Sequence, residues 1–230
     1  LIHYLAKKNV STQKLLTIDI ICHGTPNPIV LRDFINWIEK KYKSRVSNIT
    51  FRDKSVGWKR YPTKIVLSNG KILRRSYTAQ LYIRMYFSLL PLDNRCYSCK
   101  FSNLERTSDL TLGDFWGIDK IMPEVSAEKG VSLVLVNTTK GQGIIREIMN
   151  TLSSSEELKN YQGREFLNYQ RNLNAPTERP SNYVEFWDLY NKFGFDYIVR
   201  KYGFYTKKGK IKFVIKSALI RFKFFDTRLS

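Results

Sequence analysis

Apolar positions along this chain change rhythm several times, and each change predicts an element. Residues 15–22, Leu-Leu-Thr-Ile-Asp-Ile-Ile-Cys, form a short aliphatic run rich in β-branched side chains, which predicts a buried strand. The turn His23-Gly-Thr-Pro-Asn-Pro28 ends it, and then Val30, Phe34, Trp37, Ile38 and Tyr42 recur at helical spacing. Three strand-like pieces follow, at 46–52, 63–68 and 71–77; Asn69-Gly70 joins the last two as a hairpin. Residues 79–90 read as a helix leading to Pro91. Two further strands are predicted at 109–112 and 131–137, the first running into Gly113-Asp114-Phe115-Trp116-Gly117. Residues 139–142 read as a turn, and 144–152 as a helix with Ile145, Ile148 and Met149 on one face. No internal repeat recurs at a period of roughly 20 to 50 residues.

The pattern changes near Asn172. Pro176 and Pro180 bracket a linker, after which 183–200 predicts an aromatic amphipathic helix. Ile211, Val214, Ile215, Ala218, Leu219 and Phe222 then make one apolar stripe among lysines and arginines, a basic amphipathic helix. Together the elements predict a mixed α/β (α+β) fold, with a central mixed sheet, flanking helices and a basic helical region at the C-terminal end. The expected division is a domain over 1–172 and a helical, basic extension over 173–230 that packs on it.

Composition narrows the class. With 230 residues, 43% hydrophobic and 26% charged, the chain is an ordinary globular one of one or two domains, which excludes disordered, collagen-like and low-complexity classes. Charge is less ordinary: 39 Lys and Arg against 20 Asp and Glu leave a net +19, which predicts an anionic partner such as nucleic acid, an acidic membrane surface or a phosphorylated cofactor. Ten of the basic residues fall at or after Arg200, against the single acid Asp226. Asp19, Arg84, Lys216 and Arg221 break the best apolar runs, so none reaches the roughly 18 to 20 residues of a spanning helix. The opening Leu1 to Lys8 lacks the layout of a secretory signal; the expectation is a soluble or peripheral protein whose natural chain begins upstream.

The candidate chemistry centres on three cysteines. Cys96-x-x-Cys99 places two thiols on one turn, where both can reach a soft metal or a cluster iron, and Cys22 closes the first strand just before His23 and Gly24. That usage points to a reducing, cytoplasmic setting. His23 could complete a Cys3His zinc site, but neighbours on an extended chain point to opposite faces, which disfavours joint ligation by Cys22 and His23. Arg95, Lys100 and Arg106 surround the pair, either to favour a reduced cluster and attract anionic donors or simply as a solvated face. Arg52, Lys54 and Trp58, with Gly57, combine cations and a flat ring suited to an isoalloxazine or a pyrophosphate, and equally describe a surface turn. Asp114 and Trp116 sit in a glycine-bearing loop where backbone amides could meet a ligand. No G-x-G-x-x-G, Walker loop or G-x-S-x-G elbow is present, so the residues favour redox chemistry over hydrolysis.

Four segments in order resemble the coenzyme F-420 hydrogenase/dehydrogenase beta-subunit family, in its C-terminal domain. They are Asp19-Ile-Ile-Cys-His-Gly-Thr-Pro26; Phe51-Arg-Asp-Lys54 with Gly57-Trp58; Cys96-Tyr-Ser-Cys-Lys-Phe101 through Arg106 and Ser108 to Gly117; and Lys129-Gly-Val-Ser-Leu133. The resemblance implies an oxidoreductase, an iron-sulfur flavoprotein with FAD beside a 4Fe-4S cluster, passing electrons between a carrier such as coenzyme F-420 and iron-sulfur partners. It implies Cys22, Cys96 and Cys99 as cluster ligands and leaves the fourth to an upstream segment, so that this chain reads as a C-terminal fragment of the domain. Arg52, Lys54, Trp58, Asp114 and Trp116 are then flavin or substrate contacts. A redox partner protein or ferredoxin-like domain is expected, with a role in polysaccharide biosynthesis as one setting and F-420 use left open. The basic tail fits an acidic membrane surface at the inner face or an acidic partner. The competing expectation is a non-catalytic basic binding module with structural zinc, gripping nucleic acid or another acidic surface; with redox motifs present, nucleic acid is the lesser expectation.

Overall fold

A computed structural model describes residues 2–11, 13–53, 62–74, 76–152 and 158–215. In chain order its elements are α1 (Ile2–Lys7), β1 (Ile18–Ile20), α2 (Pro28–Tyr42), β2 (Val46–Thr50), β3 (Lys64–Leu67), β4 (Ile72–Arg74), α3 (Leu81–Phe87), β5 (Leu110–Asp114), α4 (Ile118–Ile121), β6 (Ser132–Val136), α5 (Thr139–Thr151), α6 (Arg171–Asn174) and α7 (Tyr183–Lys201). Short 3-10 helices stand at Asn94–Ser98 and Glu165–Asn168. The mixed α+β class holds, with the strands divided between two three-stranded sheets, β1-β5-β6 and β2-β3-β4.

The chain folds as two units and passes between them after His23, Asp93 and Glu178. The unit formed by 24–93 and 179–230 carries the larger core. Asn27 opens α2, its side chain accepting from the Ile29 backbone N–H, and Pro28 occupies the first turn, where a missing N–H costs nothing. Replacing Asn27 with Ala is expected to cost about 1 kcal/mol, read as a lower denaturation midpoint with an unchanged slope. Val30, Phe34 and Ile38 lie on one face of α2 and are fully buried. They join Ile65 and Leu67 of β3, Met85 of α3, and Phe186 and Ile198 of α7 in one cluster. Two polar ties align α2 with α7: Trp37 Nε1 donates to Asp196 at 2.6 Å and the Tyr190 hydroxyl donates to Asp33 at 2.9 Å. The hairpin at Asn69-Gly70 joins β3 to β4 as expected, with Gly70 at φ 80°. α7 is broken at Gly194, whose backbone is not helical.

The other unit, 1–23 with 94–178, holds all three cysteines. Its sheet is mixed: β1 runs parallel to β5, and β5 antiparallel to β6. One face supports a small core of Phe115, Ile118 and Leu133, flanked by Ile21, Leu135 and Phe166. β1 is not the buried strand that its aliphatic sequence predicts. It is an edge strand of three residues, and Ile18 and Ile20 are 50% and 64% exposed. Nor are Ile148 and Met149 of α5 buried; both are exposed. Residues 139–142 are the first turn of α5 rather than a separate turn. Thr138 caps it by accepting from Gly141 N–H, and Gly141 lies so close to the Asp109 carbonyl that no side chain fits there.

Candidate functional site

Asp19 is the one charged residue in the aliphatic run that forms β1, and alternation turns it away from Ile18 and Ile20. Its carboxylate meets the Arg106 guanidinium, Nη1 to Oδ2, at 3.3 Å. Arg106 is nearly sealed, with its side chain 5% exposed, whereas the Asp19 side chain is 35% exposed. Asp19 Oδ1 and Arg106 Nε have no hydrogen-bond partner. Arg106 is therefore not part of a solvated face or a free positive charge beside the cysteines, as the sequence suggested; its charge is countered by Asp19. The pair also connects two segments that carry thiols. β1 leads through Ile21, whose N–H donates to Leu112 at 2.8 Å, directly to Cys22. Arg106 ends the loop that starts at Cys99.

That loop is shaped by local polar bonds. Cys96 lies in the 3-10 helix Asn94–Ser98 and Cys99 just after it. Ser102 N–H donates to the Cys99 carbonyl, Asn103 Nδ2 to the Lys100 carbonyl, and Glu105 N–H to the Asn103 side chain. Side-chain bonds of this kind replace regular structure in a segment with little apolar content. Cys22 is exposed, Cys96 and Cys99 are half-buried, and none forms a disulfide. Three soft thiols in one unit suit cluster iron by donor type. Among the described residues, however, no three His, Cys, Asp or Glu side chains gather as a ligand set. The three thiols share a unit without being assembled around one point.

His23 follows Cys22, and its carbonyl accepts from the Thr177 hydroxyl at 3.0 Å. Burial, aided by the charge of Arg171, pushes the His23 imidazole below its ordinary range. A histidine lowered in this way favours the fold fully above the unfolded value of about 6.5, and that contribution fades as pH falls below it.

The loop after β5 has a structural basis of its own. Asp114 ends β5, and its carbonyl accepts from the buried Gln170 side chain at 2.8 Å. Trp116 beside it is 40% exposed. Gly117 has φ 80° and caps α4, where a Cβ would collide with the Tyr169 ring. At Gly113 a Cβ would come within 2.6 Å of Ile21. Packing thus accounts for both glycines. Asp114 and Trp116 belong to the cysteine-bearing unit; Arg52, at φ 57°, belongs to the other. Lys54 and Trp58 lie outside the described residues.

Sequence reasoning missed the anchor of this unit, Asp109. Its Oδ2 accepts from the Thr17 N–H at 2.8 Å and the Thr17 hydroxyl at 2.7 Å, and its Oδ1 accepts from Thr138 at 2.7 Å. Lys140 Nζ stands 3.5 Å away and also donates to the Leu15 carbonyl. Burial would raise this carboxyl, but the hydrogen bonds from Thr138 and Thr17, with the Lys140 charge, override it and hold the pKa to about 2. The approach to β1, the start of β5 and the cap of α5 are fastened at this point.

No curated protein and no solved structure matches the chain. Residues 2–159, well over half of the sequence, match the family described as coenzyme F420 hydrogenase/dehydrogenase, C terminus of the beta subunit, and all three cysteines, Asp19 and Arg106 fall inside the match. The chain therefore belongs to the coenzyme F420 hydrogenase/dehydrogenase beta-subunit family, through the C-terminal region that defines the match.

Proposed function

We propose that this protein is an electron-transfer subunit of an oxidoreductase, working between a hydride carrier of the flavin or deazaflavin type and a one-electron iron-sulfur partner. Family membership is the observation that carries the reading. It is supported by three cysteines in one unit, none in a disulfide, with one exposed and two half-buried. Cys22, Cys96 and Cys99 would hold a 4Fe-4S cluster together with a ligand from outside the set, and the Asp19–Arg106 pair would keep the two thiol-bearing segments in register. A flavin such as FAD, when bound, would supply the conversion of a two-electron hydride into single electrons. Asp114 and Trp116 offer it a carboxylate and an exposed ring on the cysteine-bearing unit; Arg52, Lys54 and Trp58 are the further contacts proposed. The partner is a ferredoxin-like domain or protein in a reducing cytoplasm, and polysaccharide biosynthesis is one setting in which such chemistry would be used.

The reading is tested by incubating the anaerobically purified protein with a reduced deazaflavin and a viologen dye. Dye reduction that depends on the protein is the expected result. No transfer from any two-electron carrier, in protein shown to be folded, would overturn it.

A further inference from the structure

The net charge of the chain belongs almost wholly to one unit. Of the 39 Lys and Arg and 20 Asp and Glu, the unit of 24–93 and 179–230 holds 26 and 8, a net +18; the cysteine-bearing unit holds 13 and 12, a net +1. Within the basic unit, residues 207–215 are helical, and the Thr206 hydroxyl caps them by accepting from Gly209 N–H at 2.9 Å. Phe213 turns this helix inward, its ring 5.7 Å from that of Tyr77, and Tyr77 lies 5.3 Å from Tyr205. Ile211, Val214 and Ile215 occupy a different face and are 59%, 59% and 54% exposed. Lys207, Lys208, Lys210 and Lys212 surround them and are exposed as well. The C-terminal turn of α2 adds Lys40 and Lys41, and Lys43 follows; Lys41 Nζ sits 4.9 Å over the Tyr205 ring, which joins the two basic clusters.

We propose that the exposed face of helix 207–215, with the lysines at the end of α2, docks the protein on an anionic lipid bilayer. Aliphatic side chains ringed by lysines match the acyl boundary and the negative headgroups of such a surface at once. Single-stranded nucleic acid would call for exposed rings beside these lysines, and the rings next to this helix, Trp37, Tyr77, Tyr205 and Phe213, pack on one another instead. No described helix is long and apolar enough to cross a membrane. The stripe seen in the sequence thus leaves Ile211, Val214 and Ile215 facing outward; Ala218, Leu219 and Phe222 lie outside the described residues. The inference does not rest on the redox reading.

Co-sedimentation of the full chain with vesicles tests it. Binding is expected to vesicles of phosphatidylcholine mixed with phosphatidylglycerol and not to phosphatidylcholine alone, and to weaken as salt is raised. The double variant Ile211→Asp with Val214→Asp is expected to bind about tenfold or more weakly. Replacing Lys207, Lys208, Lys210 and Lys212 by Gln is expected to weaken binding on the order of a hundredfold or more. Both sets alter exposed side chains, so circular dichroism should stay that of the parent. Indifference to lipid charge, or undiminished binding by the aspartate variant, would overturn the proposal. So would tighter binding to single-stranded DNA or to an acidic protein than to the mixed vesicles.

Discussion

Asp109→Asn is expected to destabilise the cysteine-bearing unit by about 2–4 kcal/mol, because it removes the charge that three hydroxyl or amide donors and a lysine converge on. The Asn amide can accept at one oxygen only and turns a donor toward the other donors, leaving at least one of them unpaired at a site where Asp109 is 5% exposed. The pH dependence carries the signature. With the folded value held to about 2 and an unfolded value near the ordinary ~3.9, the contribution is complete above about pH 4. It fades as pH falls from there toward about 2. Urea unfolding at stepped pH values should show the parent losing stability across that window and the variant much less so. A parent curve that is flat there would show that Asp109 is not held in its ionised form by the fold.

The Asp19–Arg106 pair gives the second large effect, and its asymmetry is the informative part. Removing Asp19 strands a guanidinium whose side chain is 5% exposed, whereas removing Arg106 leaves an acid whose Oδ1 is buried but whose side chain as a whole is 35% exposed. Asp19→Ala is therefore expected to cost about 2–4 kcal/mol, less than the loss of a fully buried partner because Asp19 is partly solvated. Arg106→Met, which keeps the apolar stem, is expected to cost less than about 2 kcal/mol. The double variant should be more stable than the sum of the two losses predicts, since no charge is left without a partner. Equal single costs that simply add would show that the two side chains do not act as a pair.

Helix α2 and the β3–β4 hairpin are legible in the sequence because their signals are local. Asn27 and Pro28 mark a start, Val30, Phe34 and Ile38 mark a face, and Asn69-Gly70 marks a turn. β1 misleads because an aliphatic run carries no information about its position in the sheet; parallel pairing to β5 on one side alone leaves Ile18 and Ile20 exposed. The first turn of α5 misleads for another reason. Gly141 resembles a helix breaker, but its missing side chain serves the close approach of the Asp109 carbonyl. At the site, the cysteines are legible by identity alone. Asp19 gives a usable signal, an acid inside an aliphatic strand, but its partner is 87 positions away and no local pattern points to it. Asp109 reads as an ordinary strand-edge carboxylate until the fold brings Thr17 and Thr138 to it. The partition of charge was half visible: the basic tail stands out, while Lys40, Lys41 and Lys43 join it only once the aromatic packing of Tyr205 is seen.

The proposed role of the three thiols as holders of cluster iron is open to direct measurement. Iron and acid-labile sulfide should be measured in anaerobically purified protein extended upstream through the segment proposed to give the fourth ligand, and in its Cys22→Ser, Cys96→Ser and Cys99→Ser variants, each checked for unchanged circular dichroism. Stoichiometric iron and sulfide are expected in the parent, and their loss in every variant. Iron-free parent protein after anaerobic reconstitution, or full iron retained in all three variants, would contradict it.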